Sequence, residues 1–167
     1  VDALPPPQSH RLLAASGWLE LGCAQEALAE LEQLSGADRR HPDVLELEWL
    51  IRAELKQWEA ALSLASRLVE LAPERASGWL HRAYAMRRVP EGGVQRAREL
   101  LLAAVEKFPE ESVIPYNLAC YACVLGDLDE ARAWFGRACR AGRKDALKSM
   151  ALKDDDLKPL WDEIRLW

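Results

Sequence analysis

The sequence predicts an all-α protein, a solenoid of about four helix pairs closed by a C-terminal capping helix. Three observations carry that expectation. The first is a recurring alanine: Ala27, Ala61, Ala97 and Ala131 lie 34, 36 and 34 residues apart. They sit in the segments Gln25-Glu26-Ala27-Leu28, Trp58-Glu59-Ala60-Ala61, Gln95-Arg96-Ala97-Arg98 and Leu128-Asp129-Glu130-Ala131. The second is the stripe that each alanine begins. Four residues on stand Leu31, Ala65, Leu101 and Phe135, and three further on stand Leu34, Leu68, Ala104 and Ala138. Steps of four and three put these side chains on one face of a helix. The third is punctuation: Pro42, Pro73 and Pro109 fall at the unit ends, and no run alternates as a half-buried strand does.

Taken in order, residues 1–8 form a proline-rich lead in which Pro5-Pro6-Pro7 blocks a helix, and Ser9 is placed to cap the first one. Four repeats follow at about 9–41, 42–74, 75–109 and 110–141, with turns expected near 22–24, 56–57, 89–93 and 125–127. A second helical pattern precedes each stripe. It is clearest where Trp79-Leu80-His81-Arg82-Ala83-Tyr84-Ala85-Met86 overlays Pro115-Tyr116-Asn117-Leu118-Ala119-Cys120-Tyr121-Ala122. Gly126-Asp127 is a short turn, and Pro90 with Gly92-Gly93 is the same turn lengthened by two residues. One helix pair has an apolar face too many, which only stacking on a neighbour can bury. The seven tryptophans are expected to supply much of that burial. Over 142–167, an Asp-rich start followed by Leu157, Leu160, Trp161 and Ile164 reads as the capping helix, with Trp167 tucked in.

Composition sets the class. Half of the 167 residues are apolar and 29% are charged, which is globular rather than disordered. A net charge of −5 argues against a nucleic-acid binder. No apolar run reaches the roughly 18 residues of a membrane span, and the start lacks the pattern of a signal peptide. Cys23, Cys120, Cys123 and Cys139 are scattered over helical patterns, without the density of a disulfide framework, so the expected location is the cytoplasm.

The units resemble the tetratricopeptide repeat (TPR) family, in which helix A, a short turn and helix B form the repeat. The resemblance covers about residues 9–141. It is strongest in repeat four, through Asn117-Leu118-Ala119, Gly126-Asp127 and Ala131. Trp49 stands where the family has a small residue, and the first unit runs long through Gly36-Ala37-Asp38. The ending Met150-Ala151-Leu152 with Asp154-Asp155-Asp156-Leu157-Lys158-Pro159-Leu160-Trp161 resembles that of bacterial members of the family. The resemblance implies a right-handed α-α superhelix whose A helices line a concave peptide-binding groove. By position, that groove takes Leu80, His81, Tyr84, Arg87 and Arg88 from repeat three, and Tyr116, Asn117, Cys120 and Cys123 from repeat four. Leu12, Ser16, Leu50 and Glu54 belong to its front half. A family subgroup clamps the C-terminal carboxylate of heat-shock chaperones with Lys, Asn and Arg. Here the matching positions hold Leu12, Ser16, Leu47, Ser77 and His81, and Asn117 alone resembles the clamp.

Catalytic and metal readings are weaker. Cys120 and Cys123 form a C-x-x-C on a helix, but structural zinc needs two further ligands at recognisable spacing. They read better as small apolar residues. His81 has no phosphate loop, nucleophile elbow or metal motif beside it, and it reads as a hydrogen-bonded groove histidine. Asp154, Asp155 and Asp156 lack the spread of a calcium loop and read as solvated capping acids. The expectation is a protein without cofactor, metal or catalytic activity.

Charge is uneven along the chain. Residues 1–74 carry 6 basic and 13 acidic side chains, residues 75–152 carry 13 and 9, and residues 153–167 carry 3 and 5. The basic second half either suits an acidic ligand or is a set of solvated faces with an incidental imbalance. The expected function is a scaffold or adaptor that binds a partner's peptide segment in the groove. The alternative is a homo-oligomer in which acidic front meets basic back.

Overall fold

The computed structural model describes residues 3–167, and its regular elements are all helical. The chain forms two compact units, residues 1–85 and 86–167. The division falls inside the third predicted repeat. Unit 1 contains α1 (Gln8–Glu20), α2 (Ala24–Glu32), a 3-10 turn (Asp38–Arg40), α3 (Pro42–Glu54), α4 (Trp58–Leu71) and α5 (Ala76–Met86, whose last residue belongs to unit 2). Unit 2 contains α6 (Val94–Leu102), α7 (Val113–Leu125), α8 (Leu128–Ala141), α9 (Lys144–Ala151), a 3-10 segment (Asp155–Leu160) and α10 (Trp161–Leu166). No helix among the described residues is long and apolar enough to cross a membrane.

The repeating alanine is where the physics of the hairpin is most demanding. Ala27, Ala61, Ala97 and Ala131 each have no exposed surface, and at Ala27, Ala61 and Ala131 the B helix lies against the A helix of its own hairpin. Each also donates its N–H to the residue four back, Cys23, Gln57, Gly93 or Asp127, closing the first turn of helix B. The A–B turn repeats as well. Cys23, Gln57 and Asp127 donate to the carbonyl five residues back, on Trp18, Arg52 and Ala122, which is the Schellman closure. Five residues before three of the alanines the backbone is left-handed, with φ 76° at Gly22, 57° at Lys56 and 86° at Gly126. Glycine does this freely, whereas Lys56 does so at a cost of about 1–2 kcal/mol. In the third hairpin the closure runs from Gly93 N–H to Met86 O, two residues longer. Gly92 is packed so closely there that a Cβ would lie 1.8 Å from Met86 O.

The remaining stripe residues, from Leu31 to Ala138, are likewise buried. Tryptophans contribute less than expected. Trp49 and Trp79 are buried, but Trp18 is 39% and Trp167 37% exposed. Alanines and leucines carry the core because close helix packing leaves little room for indoles. Trp167 does rest on Phe135, with ring centroids 5.3 Å apart. At the front, α1 starts at Gln8 behind Pro7 and receives no side-chain cap. Ser9 lies inside the helix, its N–H bonded to Pro5 O, which corrects its expected role. At the back, Asp154 caps the 3-10 segment by accepting from Asp156 N–H.

Candidate functional site: the exposed stripe of the A helices

A helices carry a second stripe, away from their B partners. On α1 it is Ser9, Leu12, Leu13 and Ser16, and 34 residues on, along α3, it is Asp43, Glu46, Leu47 and Leu50. Both sets follow the spacing of three, four and seven that defines one helical face. In unit 1 these eight residues line an open groove of about 450 Å³. Leu13 is 72% and Leu50 42% exposed, far more than a folded chain needs to leave in water. The groove's ionisable residues are both acids. Arg75 bridges Asp43 at 2.6 Å and Glu46 at 3.1 Å.

A further step of 34 reaches Ser77, Leu80, His81 and Tyr84 on α5. His81 is held by stacking on Trp49, with centroids 3.7 Å apart and planes 7° apart. Trp49 is accommodated at its small-residue position in this way. Burial pulls the His81 pKa down to about 4, against a smaller opposing pull from Glu46, so the ring is neutral at pH 7. Tyr84 packs its edge toward Trp49 and lies 5.9 Å from Trp58, yet remains 39% exposed. Leu80 is half-buried beside them.

In unit 2 the stripe falls 36 residues on, at Val113, Tyr116, Asn117 and Cys120 of α7. Here the sequence expectation needs correction. Tyr116 is 4% and Cys120 3% exposed, because the chain's own C-terminal segment lies over them. Tyr116 Oη donates to Asp154 Oδ2 at 3.0 Å, and Cys120 Sγ donates to the same oxygen at 3.4 Å. Arg87 donates from both Nη atoms to the Asp156 carboxylate, one bond being 2.8 Å, and its guanidinium lies over the Tyr121 ring. Leu157, Leu160 and Ile164 are buried behind these contacts. Arg87, placed in the groove by sequence, is thus used within the chain. Asn117 Nδ2 donates to Val113 O at 2.9 Å and stays half-buried. Arg88 is half-buried in the connection after α5, and Cys123 is buried on α7.

The same cluster is the best candidate for a metal. Ligand atoms of Cys120, Asp154 and Asp156 lie within 4.8 Å of one another. Its chemistry fits a hydrogen-bond network better. Burial, reinforced by Asp154, pushes the Cys120 thiol far up, and burial pushes Cys123 up to about 11. In the absence of a cation both are therefore thiols, and Cys120 acts as a hydrogen-bond donor to Asp154. Asp156 is neutralised by Arg87. The raised thiols argue equally against a redox pair.

Sequence reasoning identified Leu12, Ser16 and Leu50 in the open groove but missed Ser9, Leu13, Asp43, Glu46 and Leu47; Glu54 is not part of its lining. The missed signal was the constant offset of 34 between the two A-helix faces.

No family model matches the sequence, and no curated protein matches it. Solved structures do share its fold. A MamA crystal structure superposes with TM-score 0.71 at 16% identity, covering 85% of this chain and 82% of MamA. MamA from Desulfovibrio magneticus RS-1 (41-end) gives 0.70 at 17%, covering 98% and 94%. A thermophilic TPR protein from Thermus thermophilus gives 0.68 at 20%, covering 96% of this chain and all of that one, 100%. With the hairpin geometry above, these likenesses establish that the chain has the tetratricopeptide-repeat fold.

Proposed function

We propose that the chain is a non-enzymatic protein-interaction scaffold that receives a partner's peptide segment along the A-helix stripe of unit 1. The open groove between α1 and α3 carries this reading. Leu13 and Leu50 keep 72% and 42% of their surface in water, although complete burial of a leucine gains about 1.5–3 kcal/mol. Leu80, His81 and Tyr84 extend the same stripe on α5, and Tyr84 offers an aromatic face with a hydroxyl. The partner segment needs an apolar anchor for Leu13 and Leu50. Asp43 and Glu46 are already bridged by Arg75, and the acidic ligand expected from the charge of residues 75–152 loses its Arg87 anchor to Asp156, so the apolar contact carries the affinity.

A displayed peptide library selected on the intact protein tests this. Enriched sequences should share an apolar anchor and lose binding at least tenfold on Leu13→Asp with Leu50→Asp. Binders indifferent to those changes would place recognition elsewhere. Self-assembly has one observation of its own. A hollow of about 470 Å³ in unit 2 is lined by Arg132, Arg140 and Lys144 beside Trp167, a surface suited to an acidic face. Sedimentation showing a salt-sensitive, concentration-dependent mass would favour that reading.

A further inference from the structure

We propose that the α7 face of unit 2 is a second peptide site, built for an Asp-x-Asp-Leu segment, which the chain fills with Asp154–Leu157 and yields to a partner protein carrying the same pattern. This goes beyond the unit 1 groove and does not depend on it.

Register is the first support. Tyr116 and Cys120 occupy the stripe positions that are Leu12 and Ser16 on α1 and Glu46 and Leu50 on α3, where the face is open. The second is the chemistry of the contact. An apolar cap needs only to cover greasy surface. Here a buried hydroxyl and a buried thiol converge on one oxygen of Asp154, and a guanidinium grips Asp156 with two bonds. Leu157 then inserts without any exposed surface. Two carboxylates two residues apart, followed by an apolar anchor, are read by separate, directional groups, which is how a site distinguishes one peptide from another. The third is separability. The segment is a short 3-10 turn followed by six residues of α10. α7 and α8 pack on each other far more extensively than either packs on the 3-10 segment, so the hairpin keeps most of its own contacts when the segment leaves. Tethering gives the segment an effective concentration of about millimolar. A free peptide therefore competes poorly, and a partner must add contacts outside the cradle.

The test uses the full chain with Cys120 as its sole cysteine (Cys23→Ser, Cys123→Ala, Cys139→Ser), and Asp154→Asn with Asp156→Asn to loosen the segment while leaving Arg87, Tyr116 and Cys120 intact. The probe is a fluorescent peptide with the sequence of residues 153–161. It should bind the loosened chain at least tenfold tighter than the parent, and slow the thiol labelling of Cys120 there. Replacing its first and third aspartates by asparagine should abolish both effects. A folded, loosened chain that ignores the peptide, or whose Cys120 labels no faster than in the parent, would overturn the proposal. Should the loosened chain unfold, hydrogen exchange on the parent decides. Residues 154–166 opening well before α7 and α8 supports a removable segment, and all three opening together makes it a permanent part of the core. Leu13→Asp with Leu50→Asp should leave these readouts unchanged, which separates this site from the groove of unit 1.

Discussion

The A-helix stripe has two fates in one molecule. On α1 and α3 it is an open groove with Leu13 and Leu50 in water; on α7 it is closed, with Tyr116 and Cys120 buried under Asp154. Register is the same, and so is the helix that carries it. What differs is the chain that follows. Exposure of a repeat position is therefore set by which segments return to cover it, and not by the repeat alone. Substitutions at matched places on the two faces should separate covering from binding.

The largest effect is expected where the cover is anchored. Leu157 has no exposed surface, so Leu157→Ala removes buried methyl groups and leaves a cavity, costing about 2–5 kcal/mol. Urea unfolding should show this loss. A loss under about 0.5 kcal/mol would mean that the segment is not packed as described.

His81 gives the next effect, in unit 1. Its folded pKa lies near 4 against the ordinary 6.5. Between those values the unfolded chain binds a proton that the folded chain refuses. Stability conferred by the neutral ring is complete above about pH 6.5 and falls as pH drops to 4, by up to about 3 kcal/mol. Stability measured across that window should fall less in His81→Gln. Equal slopes in the two proteins would show that the stacked ring accepts its proton freely.

How much of this was legible before the structure depends on the range of the interaction. Ala27, Ala61 and Ala131 report a local constraint, since any larger side chain meets the partner helix within the same hairpin, and Ala97 continues their spacing. Four such positions sufficed to define the repeat. The A-helix positions at Leu80, His81, Tyr84, Tyr116, Asn117 and Cys120 were equally legible as one stripe. Their covering was not, because it depends on Arg87 meeting Asp156 across 69 residues and on Asp154 reaching Tyr116 across 38. Nothing in residues 113–125 distinguishes a tyrosine that greets a ligand from one already satisfied. The indoles were misjudged for a related reason. Size argues for burial, but Trp18 keeps 39% of its surface in water.

A smaller change is expected at the gripping pair. Arg87 and Asp156 are each about one quarter exposed, at 23% and 24%, so solvent screens part of their attraction. Arg87→Gln should cost about 1–2 kcal/mol, and a double-mutant cycle with Asp156→Asn should return about 1 kcal/mol of coupling. Additive effects would reduce the bridge to an incidental contact and weaken the case that α7 reads carboxylates.

The smallest effect on stability, and the sharpest separation of the two faces, is expected at Leu13. With 72% of its surface in water, it contributes little to the fold, and Leu13→Ser should change unfolding free energy by no more than about 0.5 kcal/mol. For a peptide selected on the intact protein, the same change removes an apolar contact at the centre of the groove and should weaken binding about tenfold or more, the scale of an interface anchor. Leu157→Ala should do the reverse, lowering stability while leaving that peptide's affinity for unit 1 within about twofold, because sites without shared partners act independently. Anisotropy titration of one labelled peptide against both variants measures the contrast directly. If Leu13→Ser destabilises the fold as much as Leu157→Ala, the open face is structural and the groove is no binding surface. If both variants bind the peptide as the parent does, recognition lies off the stripe altogether.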